Sequence, residues 1–165
     1  MATTALGDHP AHTIGDLPQP GSTAPSYTLT GSDLSDVTSE SLAGRRVVLN
    51  IFPSVDTATC AASVRRFNEL AAGLDNTTVV CASADLPFAF RRFCGAEGIT
   101  DVVPASSFRS SFGADFGVTL TNTAMRGLLA RSVVVVDTDG TVLHTELVPS
   151  IGTEPDYDAA VAALG

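Results

Sequence analysis

The sequence contains no Lys and no Trp, and its nine basic residues are all Arg, against 18 acidic ones, for a net charge of −9. Most of these Arg residues stand in separate pairs (Arg45-Arg46, Arg65-Arg66, Arg91-Arg92) and do not follow one face. Nothing here indicates a surface that could follow nucleic-acid phosphates. Long apolar runs are also missing, since no stretch reaches the roughly 18 residues that suggest a membrane-spanning helix. The composition therefore disfavours nucleic acids and membranes as partners.

Cysteine is scarce as well, with only Cys60, Cys81 and Cys94 in the chain. No pair has Cys-x-x-Cys spacing and the histidines are not grouped with them, so the sequence predicts neither a disulfide scaffold nor a metal site. A glycine-rich phosphate loop is absent too, and we expect no cofactor. Residues 1–12 lack the basic start and apolar middle of a signal peptide, which favours a cytoplasmic location. In that compartment the cysteines are either small buried hydrophobes or redox-active thiols.

The remaining composition, 44% hydrophobic over 165 residues, is enough for the core of one domain. We expect a flexible N-terminus at residues 1–14 and a single domain over residues 15–165. Strands alternate with helices and end in a hairpin and a last helix, which predicts a thioredoxin-like α/β fold. In that fold a central mixed sheet is flanked by helices, here with an N-terminal extension or hairpin. The main predicted strands are Arg46–Phe52, Thr78–Ala82, Ser132–Val136 and Thr141–Val148, and the last helix is Pro155–Leu164.

A second helix is predicted after the Thr78–Ala82 strand. Asp85 is expected to be its N-cap and Pro87 to lie in its first turn, because both residue types favour helix starts. The helix should run to about Ala96 and end at Gly98.

Cys60 stands where an apolar strand gives way to a helical pattern. Pro53 ends the strand, and apolar residues then recur at helical spacing over Ala61–Ala72. The sequence thus predicts Cys60 in the first turn of a helix that follows a central strand. Unpaired backbone N–H groups and the helix dipole stabilise negative charge at that position, so the thiolate is favoured. We interpret Cys60 as a reactive cysteine.

The residues around Cys60 resemble the active-site motif of the peroxiredoxins, Pro53-x-x-x-Thr57-x-x-Cys60. The wider segment Asn50–Thr57 resembles the bacterial thiol peroxidase subgroup, which comprises atypical two-cysteine peroxiredoxins. The likeness extends from about Gly15 to the C-terminus. Its other blocks are Asp85-Leu86-Pro87-Phe88-Ala89, Arg92-Phe93-Cys94, Gly127-Leu128-Leu129-Ala130-Arg131 and Glu146-Leu147-Val148-Pro149.

This resemblance implies a role for each matching residue in a thiol-dependent peroxidase. Cys60 would attack a hydroperoxide and become a sulfenic acid, while Thr57 and Arg131 hold the two peroxide oxygens. Pro53 would shield the sulfur from water. Cys94 would be the resolving cysteine and form a Cys60–Cys94 disulfide, after local unwinding of both segments. The resemblance further implies a thioredoxin-type reductant and a homodimer.

Other functions stay open at this stage. One is a thiol-based redox sensor that relays oxidation to a partner protein, and another is a peroxidase resolved by an external thiol. A structural module with an inactive site is a third. Cys81 lies within a Val-rich strand, and we expect it to be an inert core residue.

Overall fold

The computed structural model describes residues 1–165, which form nine strands and four helices. The strands are β1 (Thr3–Leu6), β2 (His9–His12), β3 (Thr28–Gly31), β4 (Asp36–Thr38), β5 (Arg46–Ile51), β6 (Thr77–Ser83), β7 (Val103–Ser106), β8 (Ser132–Val136) and β9 (Val142–Leu147). The helices are α1 (Ala58–Ala71), α2 (Pro87–Glu97), α3 (Phe112–Asp115) and α4 (Tyr157–Ala162). None of them is long and apolar enough to cross a membrane.

Seven strands form the central sheet, in the order β4-β3-β7-β6-β5-β8-β9. Strand β5 pairs in parallel with β6, since α1 crosses over between them, and antiparallel with β8. Strands β6 and β7 are also parallel, whereas β3 pairs antiparallel with both β4 and β7. The predicted thioredoxin-like fold with a mixed central sheet is confirmed.

Strand β5 is an almost continuous apolar run because both of its faces are covered. Val47, Leu49 and Ile51 pack in the cluster that includes Phe112 of α3. Val48 belongs to the opposite cluster, to which α1, α2 and α4 contribute. Cys60 lies in this second layer, next to the carboxyl end of β5, where α/β folds commonly place their functional residues.

The N-terminal extension forms the hairpin of β1 and β2. It is joined to the rest of the chain by hydrogen bonds from the Thr4 hydroxyl to the Val148 carbonyl, 2.7 Å, and from the Ile151 N–H to the Ala5 carbonyl, 2.9 Å. The flexibility expected of residues 1–14 is a matter of motion and stays a prediction. Their hairpin contacts place them against the segments that follow β9.

Two helix starts differ from the sequence predictions. The prediction of Asp85 as the N-cap of α2 is wrong, because Leu86 occupies that position and no side chain caps the helix. The Asp85 carboxylate binds donors from the loop after β5 instead. The last helix starts at Tyr157, later than Pro155, since Asp156 caps it by accepting the Ala159 N–H. The predicted end of α2 at Gly98, which adopts a left-handed conformation, is confirmed.

Candidate active site

Cys60 is the third residue of α1, and the sequence prediction of its place in the first turn is confirmed. The helix begins because Pro53 prevents β5 from continuing and Thr57 adopts the extended conformation of an N-cap residue. The Cys60 side chain is fully buried, and its thiol is free. The unpaired backbone N–H groups of a helix start favour negative charge in their vicinity.

Arg131 is brought to Cys60 by sheet pairing. It directly precedes β8, and the pairing of Ile51 with Ser132 sets it beside the end of β5. Its Nη2 lies 3.2 Å from Cys60 Sγ, and its Nε donates to the Ile151 carbonyl at 2.8 Å.

The Arg131 side chain is only 2% exposed, and a buried guanidinium is costly unless it is paired. The contact that the structure gives this guanidinium on the Cys60 side is the one to Cys60 Sγ. The third nitrogen of the guanidinium, Nη1, is buried without a hydrogen-bond partner. Arg131 therefore keeps an unused donor on the guanidinium that contacts the Cys60 sulfur.

Thr57 is half-buried and lies one turn before Cys60. Its hydroxyl donates to the Ser54 carbonyl at 3.0 Å, and no hydrogen bond joins it to the sulfur. Because its proton is used in this way, only the oxygen lone pairs of Thr57 are available to a bound molecule. The hydroxyl can accept a hydrogen bond from such a molecule, but it does not donate one to the Cys60 sulfur.

The loop between β5 and α1 is held by Asp85, a residue whose role the sequence analysis missed. Ser54 Oγ donates to Asp85 Oδ1 at 2.7 Å, and the Val55 N–H donates to Oδ2 at 2.8 Å. Asp85 follows β6, which is the parallel neighbour of β5, so the carboxyl ends of the two strands meet here. That adjacency was the available signal. Pro53 is buried at the start of this loop, as its predicted shielding role requires.

We expect Asp85→Asn to lower the free energy of unfolding by about 1–3 kcal/mol, because an amide cannot accept both loop donors as the carboxylate does. The rate constant for peroxide reduction should fall by about tenfold, since the loop that carries Thr57 is no longer held. Urea unfolding and stopped-flow kinetics measure the two effects. Asp75→Asn is the control, because the Asp75 side chain is exposed and makes no hydrogen bond. Equal behaviour of the two variants would contradict the role of Asp85.

Cys94 lies on α2, half-buried against the cluster that contains Cys60 and Cys81. Burial raises the pKa of its thiol above the ordinary value. Its carbonyl accepts the N–H groups of Gly98 and Ile99, so its backbone belongs to the last, hydrogen-bonded turn of the helix. The structure places Cys94 in the same layer as Cys60, with no bond between them.

Two ion pairs connect α2 with α1 and the loop that precedes it. Arg92 Nη2 lies 3.2 Å from Asp56 Oδ1, and Arg65 Nε lies 3.0 Å from Glu97 Oε2. Each pair is largely open to solvent, where an ion pair contributes about 0–1 kcal/mol. These contacts therefore connect the two cysteine-bearing helices only weakly.

Cys81 is buried within β6, and burial raises the pKa of its thiol to about 12. At neutral pH it is therefore an uncharged core thiol. No group of three or more His, Cys, Asp and Glu side chains could hold a metal ion.

Comparison with known proteins agrees with this geometry. Residues 19–161 match the family model described as Redoxin. A thiol peroxidase of Mycobacterium tuberculosis is 56% identical over 165 residues, which cover 100% of this chain and 99% of the relative. A thiol peroxidase of Corynebacterium glutamicum is 56% identical over 164 residues, 99% of each chain.

A solved peroxiredoxin-like protein from Aquifex aeolicus is 34% identical, with a TM-score of 0.94 over 99% of this chain and 96% of that one. These findings favour the peroxidase over the redox-sensor alternative. The chain therefore belongs to the thiol peroxidases of the redoxin family and is a thiol-dependent peroxidase.

Proposed function

We propose that Cys60 is the residue that reduces hydrogen peroxide and organic hydroperoxides. Its thiolate attacks the terminal oxygen of ROOH, so that an S–O bond forms while the O–O bond breaks. The departing RO⁻ takes up a proton and leaves as ROH, and Cys60 becomes a sulfenic acid. The observation that carries this proposal is the 3.2 Å contact between Cys60 Sγ and the buried guanidinium of Arg131 at a helix start.

Arg131 and Thr57 divide the binding of the peroxide between them. The unpartnered Nη1 of Arg131 donates to a peroxide oxygen, and the lone pairs of Thr57 Oγ1 accept the O–H of ROOH. As the O–O bond breaks, negative charge grows on the leaving oxygen, and the guanidinium stabilises it in a site shielded from water. Pro53 contributes to this shielding.

Cys94 is proposed to resolve the sulfenic acid. Its thiolate attacks Cys60 Sγ, an S–S bond forms, and the oxygen leaves as water after protonation. A disulfide needs Cα atoms about 4.4–6.8 Å apart, whereas both cysteines lie within hydrogen-bonded helices. The first turn of α1 and the segment around Cys94 therefore unwind before the bond forms. A thioredoxin-type dithiol then reduces the disulfide, which returns the enzyme to its starting state.

The pH dependence of disulfide formation tests this proposal. The attacking species is the Cys94 thiolate, and burial raises the pKa of that thiol, so the neutral thiol dominates near pH 7. The rate of disulfide formation should therefore rise with pH up to and beyond about 8.5, the ordinary thiol value. Rapid acid quench after one equivalent of hydrogen peroxide, followed by mass spectrometry, measures it. A rate that stays flat or falls between about pH 6 and about pH 9, which lie on either side of the ordinary thiol pKa of about 8.5, would contradict the proposal.

We further propose a cytoplasmic homodimer. Three large apolar side chains on two neighbouring segments are exposed: Leu86 (51%), Phe88 (58%) and Phe108 (45%). Ser106 Oγ binds both the Asp85 carbonyl and the Phe108 N–H, which brings their two segments together. An exposed apolar patch of this kind favours a protein contact. Sedimentation velocity of the reduced protein tests the assembly, and a monomer at micromolar concentration would contradict it.

A further inference from the structure

A buried chain of polar groups connects the backbone of Cys60 with the central sheet. Ser63 Oγ donates to the Cys60 carbonyl at 2.8 Å and accepts from Asn50 Nδ2 at 3.2 Å. The same Nδ2 lies 3.7 Å from Cys81 Sγ. Asn50 and Ser63 are both fully buried. None of these side chains takes part in the proposed chemistry on the peroxide.

One atom among these buried polar groups lacks a hydrogen-bond partner. Asn50 Oδ1 is buried and accepts no hydrogen bond, which is costly for an amide oxygen inside a core. The orientation of the amide follows from its neighbours. The Ser63 hydroxyl already donates a hydrogen bond to the Cys60 carbonyl. Toward Asn50 it can therefore only accept one. In the reduced form, Asn50 therefore contacts the Ser63 hydroxyl and still has an unused acceptor, Oδ1.

The unused acceptor matters when the first turn of α1 unwinds. Cys60 then moves away with its carbonyl, while Ser63, one turn further along, stays in the helix. Its hydroxyl would become a buried donor without a partner. Rotation of the Asn50 amide turns Oδ1 toward Ser63, since Nδ2 already lies within hydrogen-bond distance of that hydroxyl.

We propose that Ser63 and Asn50 are positioning residues that set the rate of Cys60–Cys94 disulfide formation, an inference that rests on the proposed function. Ser63 stabilises the wound turn through its bond to the Cys60 carbonyl. Asn50 stabilises the unwound turn because its Oδ1 accepts a hydrogen bond from the Ser63 hydroxyl. The two residues therefore act in opposite directions on the same step, although they contact each other.

Two substitutions test this proposal in the full-length protein. Ser63→Ala should speed disulfide formation by about three- to tenfold, the effect of one neutral hydrogen bond. Asn50→Leu keeps the side-chain size but leaves the Ser63 donor unpaired in the unwound form, so formation should slow by about the same factor. Slower resolution leaves the sulfenic acid exposed to further oxidation, and Asn50→Leu should accumulate more Cys60 sulfinic acid under excess peroxide.

Rapid quench and peptide mass mapping give both rates, and Val48→Ala is the matched control. Val48 lies on the same strand and the same face as Asn50. Val48→Ala therefore lowers the global stability without changing the hydrogen bonds of Asn50 and Ser63. The rate of disulfide formation should stay at the wild-type value. A purely structural role predicts that Ser63→Ala and Asn50→Leu change the rate in the same direction, and that result would overturn the proposal. Unchanged rates in both variants would overturn it too.

A spectroscopic measurement on the unmutated protein covers the case in which Asn50→Leu fails to fold. On oxidation the side-chain oxygen Oδ1 of Asn50 accepts a hydrogen bond. The NMR signal of the carbonyl carbon bonded to it should therefore move downfield in the disulfide form and stay in place in oxidised Ser63→Ala. A signal that does not move would overturn the proposal that Asn50 accepts a hydrogen bond from Ser63 in the disulfide form. Absence of any Cys60–Cys94 disulfide in the unmutated protein is a separate outcome, which would contradict the proposed function itself.

Discussion

Arg131→Met is expected to slow the reaction of Cys60 with hydrogen peroxide by about 10²–10³-fold, the usual effect of removing one donor that stabilises developing charge. Methionine fills similar space but removes the contact to Cys60 Sγ and the free Nη1 donor together. The thiolate then loses its buried counter-ion, and the leaving oxygen loses its donor. Stopped-flow kinetics under single-turnover conditions measure the rate directly.

The fold should persist in Arg131→Met, because methionine is a flexible apolar residue that adapts to a buried position. Circular dichroism and urea unfolding check this. Arg109→Met is the matched control, since Arg109 is largely exposed and its contacts to Thr30, Asp36 and Phe108 involve neither Cys60 nor Arg131. Its peroxide rate should equal that of the unmutated chain. A normal rate in Arg131→Met would remove Arg131 from the mechanism.

Cys94→Ser should abolish sustained turnover with a thioredoxin system while leaving the first reaction with peroxide intact. Without the resolving thiol, Cys60 stops at the sulfenic acid, and excess peroxide oxidises it further to the sulfinic acid. Peroxide consumption coupled to NADPH oxidation measures turnover, and a burst of one peroxide per chain measures the first step.

Cys81→Ser provides the comparison for this variant, because it makes the same atomic change at the third cysteine. Cys81 is buried and its thiol has a raised pKa, so sustained turnover should continue. If Cys94→Ser retained full turnover, resolution by an external thiol would replace the internal disulfide. If Cys81→Ser stopped turnover in a folded protein, our description of Cys81 as an inert core residue would be wrong.

Much of the fold can be predicted from the sequence, because the residues concerned respond to local rules. Strand β5 is an almost continuous apolar run, because both its faces are covered. The helix start at Cys60 follows from Pro53 and the helical spacing after it, which also predicts the position of the thiol. These features depend on neighbours in the chain, and a single sequence contains them.

The misassigned and missed residues depend on contacts between distant segments. Asp85 has the sequence signature of an N-cap, yet the loop after β5 offers it better donors in Ser54 and Val55. The polar link from Asn50 to Ser63 arises only when α1 packs on β5. The contact of Arg131 with Cys60 depends on the pairing of β8 with β5. The residues next to Arg131 in the sequence do not reveal this contact, and only the family resemblance pointed to a role for Arg131.

The most direct test of the account is a peptide mass map of the reduced protein after one equivalent of hydrogen peroxide. We predict a single new linkage that joins the peptides of Cys60 and Cys94, with Cys81 unmodified and with no linkage in Cys60→Ser. Oxygen added to Cys60 without a linkage would contradict internal resolution. An unmodified Cys60 in folded, reduced protein would contradict the central claim that this thiol is the one that reacts with peroxide.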